Sequence, residues 1–192
     1  MNNKELIEAF KQGGEGNCVS IAIIKAGIEI FGINGIFSHQ WESDNCTVIQ
    51  RDGFTLSITK QELEIATESS NFILLKNKNV FDYANLCFTI MAKRAHIEGN
   101  DGQENMTFEE ALTSLNEGES YLEGPHWIGL RHHIRSVGRK YIWQYKGVIG
   151  ASRKHCFFAS EGIEDNYGKI DNLNRFERRF CRWFRINEKA NY

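Results

Sequence analysis

The sequence predicts an α+β fold. Helical apolar periodicity dominates the first 115 or so residues, strand-like runs dominate from residue 140 onward, and the two kinds of pattern are segregated along the chain. Its 192 residues suffice for one domain spanning 1–192 with a substantial core. Hydrophobic content of 41% and charged content of 25% are ordinary for a soluble globular protein. A net charge of −2 predicts no broad attraction to nucleic acid or to an anionic membrane. One proline and 17 glycines argue against low-complexity linkers.

No apolar run reaches the roughly 18 residues of a membrane-spanning helix. The opening Met1-Asn2-Asn3-Lys4-Glu5 is polar and does not read as a signal peptide. The expectation is a cytoplasmic protein, or one exported without a recognisable signal. Five cysteines with no C-x-x-C pair argue against a disulfide framework and against a structural metal site. No cofactor or metal is expected. In a reducing compartment the cysteines would stay thiols.

The elements follow from local signals. Residues 3–10 read as a short helix with Leu6, Ile7 and Phe10 on one face. The run 18–31 is apolar on nearly every side (Ile21, Ala22, Ile24, Ile28, Phe31), so it reads as a buried helix closed by Gly32. Strand-type runs 45–50 and 54–58 flank Arg51-Asp52-Gly53, a hairpin signal. Thr59 and Glu62 form a capping box for the next helix, and Thr107 and Glu110 another for 108–115, which Gly118 closes. Residues 72–75 read as a strand. Asn79 is placed as the cap of a long helix, 80–96. Gly124-Pro125 breaks the chain, and 127–137 reads as helical or irregular. Strands are expected at 141–145, 147–150, 155–159 and 169–173, with a hairpin turn at Asp165-Asn166-Tyr167-Gly168. Phe176, Phe180, Trp183 and Phe184 fit a helical stripe after Asn174, with a solvated face of arginines opposite.

The chemistry concentrates at Gln12-Gly13-Gly14-Glu15-Gly16-Asn17-Cys18. Three glycines in four positions cannot be helix or regular strand; they allow positive φ and close backbone approach. Asn17 is a good N-cap, so Cys18 falls at the first helical position. There the helix dipole and the free N–H groups favour a thiolate. The Cys18 N–H and the Gln12 amide are placed to donate to an oxyanion.

Gln12-Gly13-x-x-Gly16-Asn17-Cys18 resembles the active-site entry of calpains and other papain-like cysteine peptidases, with Asn17 for the Asp and Val19 for the Trp of the calpain pattern. Met91-Ala92-Lys93-Arg94-Ala95 followed by Glu109-Glu110-Ala111-Leu112 is similar in order and spacing to the helices that follow in calpain cores. The resemblance implies a papain-like fold, a helical half packed on an antiparallel sheet half, with Cys18 as nucleophile and Gln12 as oxyanion donor.

Of six histidines, His155 suits the general base. It opens the strand-like run His155-Cys156-Phe157-Phe158-Ala159 after a Gly/Ser loop, and follows Cys18 by 137 residues, within the roughly 130–150 of papain-like enzymes. The orienting acceptor is expected to be Asp171, on the return after the turn, in a segment Ile-Asp-Asn-Leu that resembles a motif of SUMO-specific proteases. Asn172 and Asn166 are the alternatives. The expected function is peptide or isopeptide hydrolysis on a protein or peptide substrate, with no nucleic-acid or membrane partner. The rivals are a bacterial effector that deamidates glutamine or transfers an acyl group, and a papain-like scaffold used only for binding. Substrate identity and any inhibitor or immunity partner are left open.

Overall fold

The computed structural model describes residues 1–174 and 178–191. Helices α1 (Asn3–Ile7), α2 (Cys18–Phe31), α3 (Lys60–Ser70), α4 (Lys78–Glu98), α5 (Phe108–Asn116) and α6 (Gly124–Trp127) occupy the first two thirds. Strands β1 (Phe10–Lys11) and β5 (Ile73–Leu74) pair with each other. Strands β2 (Ser38–Glu42), β3 (Asn45–Ile49) and β4 (Thr55–Thr59) form an antiparallel meander. Strands β6 (Ile134–Ser136), β7 (Val148–Ala151), β8 (Cys156–Ser160), β9 (Ile163–Asn166), β10 (Lys169–Asn172) and β11 (Arg182–Ile186) form one antiparallel sheet in the order β10-β9-β8-β7-β11-β6. The protein is therefore a mixture of helices and antiparallel sheets, compatible with the α+β expectation. Among the described residues no helix is long and apolar enough to cross a membrane.

Helix α2 is the hub. It packs chiefly on β8, and it also meets β7, β11, α4 and α6. Alternation on β8 serves both faces of the sheet: Cys156 and Phe158 join the core beneath α2, whereas Phe157 and Ala159 join a second cluster with Val148, Leu173 and Trp183. The one cation inside this apolar helix, Lys25, is fully buried. Its ammonium donates to the carbonyls of Ile7 at 3.0 Å and Phe10 at 2.7 Å and to Asp165 Oδ2 at 2.6 Å. One side chain thus ties α2 to the N-terminal arm and to β9.

Local capping explains most helix starts. Capping boxes at Asn2–Glu5, Thr59–Glu62 and Thr107–Glu110 open α1, α3 and α5. The hairpin at Asp52-Gly53 forms as its sequence predicts, with Gly53 at φ 86°. Helix α1 is shorter than expected, because Phe10 pairs with Leu74 in a strand. Helix α4 is capped by Asn77, whose side chain accepts from the Val80 N–H, rather than by Asn79. Residues 38–42 form a strand where no regular element was expected. The expected strand 141–145 is a 3₁₀ helix over Arg139–Gln144, which buries Ile142 alone. The expected C-terminal helix is overturned at its end: Arg182–Ile186 is strand β11, between β7 and β6, and Phe180 is exposed. Phe176 of the expected stripe lies outside the described residues.

Replacing Lys25 by Met strands the buried Asp165 carboxylate, and the expected loss of stability is about 3–5 kcal/mol. Asp165→Asn alone strands the ammonium instead. The double variant Lys25→Met/Asp165→Asn is expected to lose clearly less than the sum of the two singles. Urea unfolding of the four proteins measures the coupling.

Candidate active site

The glycine loop runs between β1 and α2, and steric contact explains its composition. A Cβ at Gly13 would sit 2.0 Å from the Asn71 carbonyl oxygen, and one at Gly16 would sit 2.6 Å from that of Asn116. The Gly16 N–H donates to the same Asn116 oxygen at 2.7 Å. Close backbone approach is what these glycines supply; Gly13, Gly14 and Gly16 do not adopt the positive φ also expected of them.

Asn17 caps α2 through its backbone, its carbonyl accepting from the Ile21 N–H at 3.2 Å. Its side chain does not cap the helix as the sequence suggested. The amide turns inward, fully buried, and donates to the Ser70 carbonyl at 2.8 Å and to Asn116 Oδ1 at 2.7 Å. The N–H groups of Cys18, Val19 and Ser20 consequently have no acceptor among the described residues. Cys18 stands beside this open helix end, half-buried.

His155 arrives from the other half of the chain. It ends the short turn between β7 and β8. Ser152 Oγ accepts from the His155 N–H at 3.0 Å and donates to the His155 carbonyl at 2.9 Å. The ring stacks on Tyr167 at a centroid distance of 5.1 Å and an angle of 15°. Its nitrogens make no hydrogen bond among the described residues. Burial, followed by the nearby Arg178 guanidinium, holds the imidazole below its ordinary pKa, and Asp165 opposes them.

Gln12, Cys18, His155, Cys156, Asp165 and Tyr167 line one small cavity. Cys18 and His155 also line a groove of about 290 Å³. The structure therefore brings together three of the four expected residues, Gln12, Cys18 and His155. The Gln12 amide donates to the Glu15 carbonyl, which pins it within the loop.

Asp171 is not brought to His155. It lies exposed on the edge strand β10, opposite Glu164, and accepts from Asn166 Nδ2 at 2.6 Å. The hairpin return pairs with β9, and β9 stands between it and β8. In register Asp171 aligns through Glu164 with Ala159, four residues along from His155. Asn172 is likewise exposed on β10, and the Asn166 amide is taken by Asp171. The carboxylate in the cavity is Asp165. One of its oxygens accepts from the Gly168 N–H at 2.7 Å, as turn chemistry requires, and the other holds Lys25. Turn chemistry accounted for Asp165 on sequence grounds and concealed it. The signal that reveals it is Lys25, a lysine in a helix apolar on every side, which demands a buried acid somewhere in the chain. Tyr167 was also missed, because a turn position says nothing of ring stacking.

No protein-family model, curated protein or solved structure matches this chain. Among the described residues, no group of His, Cys, Asp and Glu is arranged to hold a metal ion.

Two measurements check this geometry. Burial pushes up the thiols of Cys46, Cys87, Cys156 and Cys181, so iodoacetamide at neutral pH is expected to label Cys18 first, read by peptide mapping. Because folding depresses the His155 pKa, its neutral form favours the folded state. That contribution is intact above the ordinary pKa of 6.5 and is lost as pH falls from there through the folded value. The urea midpoint is therefore expected to fall less steeply below pH 6.5 in His155→Gln than in the wild type.

Proposed function

We propose that this protein is a cysteine hydrolase of papain-like architecture, one domain over 1–192, that cleaves peptide or isopeptide bonds. One observation carries the reading: Cys18, at a helix end whose N–H groups are open, shares a cavity with His155, Gln12 and a carboxylate. The resemblance of the glycine loop to the calpain entry supports it.

In this reading His155 is neutral at rest and takes the thiol proton. The Cys18 sulfur bonds to the carbonyl carbon, and the carbonyl π electrons move to oxygen. The Cys18 N–H and the second amide hydrogen of Gln12 donate to that oxyanion. Collapse breaks the C–N bond, and the imidazolium returns its proton to the departing amine. Water then attacks the thioester with His155 again as base, releasing the acid and restoring the thiol. Asp165 takes the electrostatic role expected of Asp171: its negative charge favours the imidazolium, against Arg178.

A thiol-directed acyl probe tests the reading first. Covalent labelling of wild type at Cys18, abolished in Cys18→Ala and strongly reduced in His155→Ala, is expected; an inert Cys18 leaves a binding scaffold. Mass spectrometry of a treated protein substrate is expected to show two chains, and a small mass change without cleavage would mean deamidation. With a turned-over peptide, Gln12→Ala is expected to lower kcat on the order of 10²-fold with little change in KM, at a stability cost under about 1 kcal/mol. Asp165→Asn is expected to lower turnover, whereas Asp171→Ala keeps it.

A further inference from the structure

The groove beside Cys18 carries an electrostatic imbalance. Some cations elsewhere are matched: Lys60, Lys76, Lys78 and Lys93 each sit on a carboxylate within 2.6–2.8 Å. At the groove they are not. Arg153 and Lys154, in the turn that presents His155, line it and are exposed. Neither makes an ion pair or a side-chain hydrogen bond with a described residue. Arg182, whose strand position pairs with Ala151 at the base of that turn, donates to the Tyr121 hydroxyl at 3.1 Å, a neutral acceptor. Tyr121 lines the same groove.

One acid lines the groove, and it does not offset these charges. Glu119 is buried and already accepts from Asn100 Nδ2, Trp127 Nε1 and the Ser120 N–H. Burial raises its pKa, against the hydrogen bonds that it accepts. The open N–H groups of α2 add positive partial charge at the same place. A chain of net charge −2 therefore presents a locally cationic groove next to its reactive cysteine.

We infer that this groove binds a carboxylate of the substrate, held by Arg153, Lys154 and Arg182 next to the bond that Cys18 attacks. The inference rests on Cys18 being the nucleophile. The ligand chemistry is an anionic carboxylate on an extended peptide, supplied by an Asp or Glu side chain or by a terminal carboxyl group. Arginine can grip it bidentately, while Lys154 contributes a point charge.

The test needs no known substrate. Cys18 is alkylated with iodoacetate, which is anionic, and with iodoacetamide, which is neutral, and the ratio of the two rates is taken. Changes in intrinsic thiol reactivity are shared by both rates, so the ratio isolates the field felt by the carboxylate. Arg153→Glu/Lys154→Glu is expected to lower that ratio on the order of tenfold at low salt, the difference shrinking at 1 M salt, where the Debye length is about 3 Å. Lys60→Glu/Lys78→Glu changes net charge equally at a distance and is expected to leave the ratio unchanged.

Protection of Cys18 from iodoacetamide then identifies the source of the carboxylate. An amidated peptide with an internal Glu is compared with an acid-free peptide bearing a free C-terminus. Protection by either supports the inference and names the source. Equal protection by a neutral amidated peptide overturns it, as does an iodoacetate ratio that the groove variant leaves unchanged. If Cys18 reacts with neither reagent while other cysteines do, the nucleophile assignment fails, and the inference falls with it.

Discussion

The candidate site depends on a buried ion pair. An ammonium cannot enter a helix packed on all sides unless every proton finds an acceptor, because desolvating a lone charge costs several kcal/mol. Lys25 meets that condition with two carbonyls and one carboxylate. The carbonyls belong to the arm that leads into Gln12, and the carboxylate belongs to the strand behind His155. The pair therefore fixes the nucleophile's helix, the oxyanion-donor loop and the base's neighbourhood relative to one another. An apolar side chain at the same position would pack but would specify none of these three placements.

A second set of polar contacts fixes the helix entry. Gly16 and Asn17 are held by the backbone and side chain of Asn116 and by the Ser70 carbonyl, and Asn116 in turn grips Ser69. Asn17 is thereby committed to the core, and the role of a side-chain cap is left vacant. A capping side chain would stabilise α2 by roughly 1 kcal/mol, but it would occupy the N–H groups beside Cys18. The loop forgoes that stabilisation and keeps the donors open.

Most of what was legible in the sequence is local. Capping boxes, the Asp-Gly hairpin and the apolar run of α2 are decided by neighbours within a few residues, and they appear where the residues place them. Gln12, Cys18 and His155 were legible because each sits at a boundary with its own chemical signature. The failures involve long-range choice. Trp183 and Phe184 fit the end of a helical stripe, yet their segment takes a place in the sheet between β7 and β6 that buries Trp183 and Ile186. Tertiary pairing overrides local periodicity there. Asp171 failed for a topological reason: a hairpin return was placed beside His155 when it pairs one strand further out. The aromatic-rich run 141–145 reads as a strand, but its first four residues close a 3₁₀ helix over Arg139–Gln144 that buries Ile142 alone.

The position of β11 bears on how the chain is made. Strands β6 and β7 precede it in sequence, yet neither pairs with the other; each pairs with β11. During synthesis, β6 and β7 emerge with facing edges unfilled and the gap between them the width of one strand. Helix α2 has by then been out of the ribosome for well over a hundred residues, carrying an apolar surface whose cover includes the sheet that is still incomplete. The nascent protein must hold that surface until residues 182–186 appear. Closure of the sheet is thus a late, non-local step. A chain stopped short of β11 carries the Gln12, Cys18 and His155 residues, but not the completed sheet against which α2 positions them.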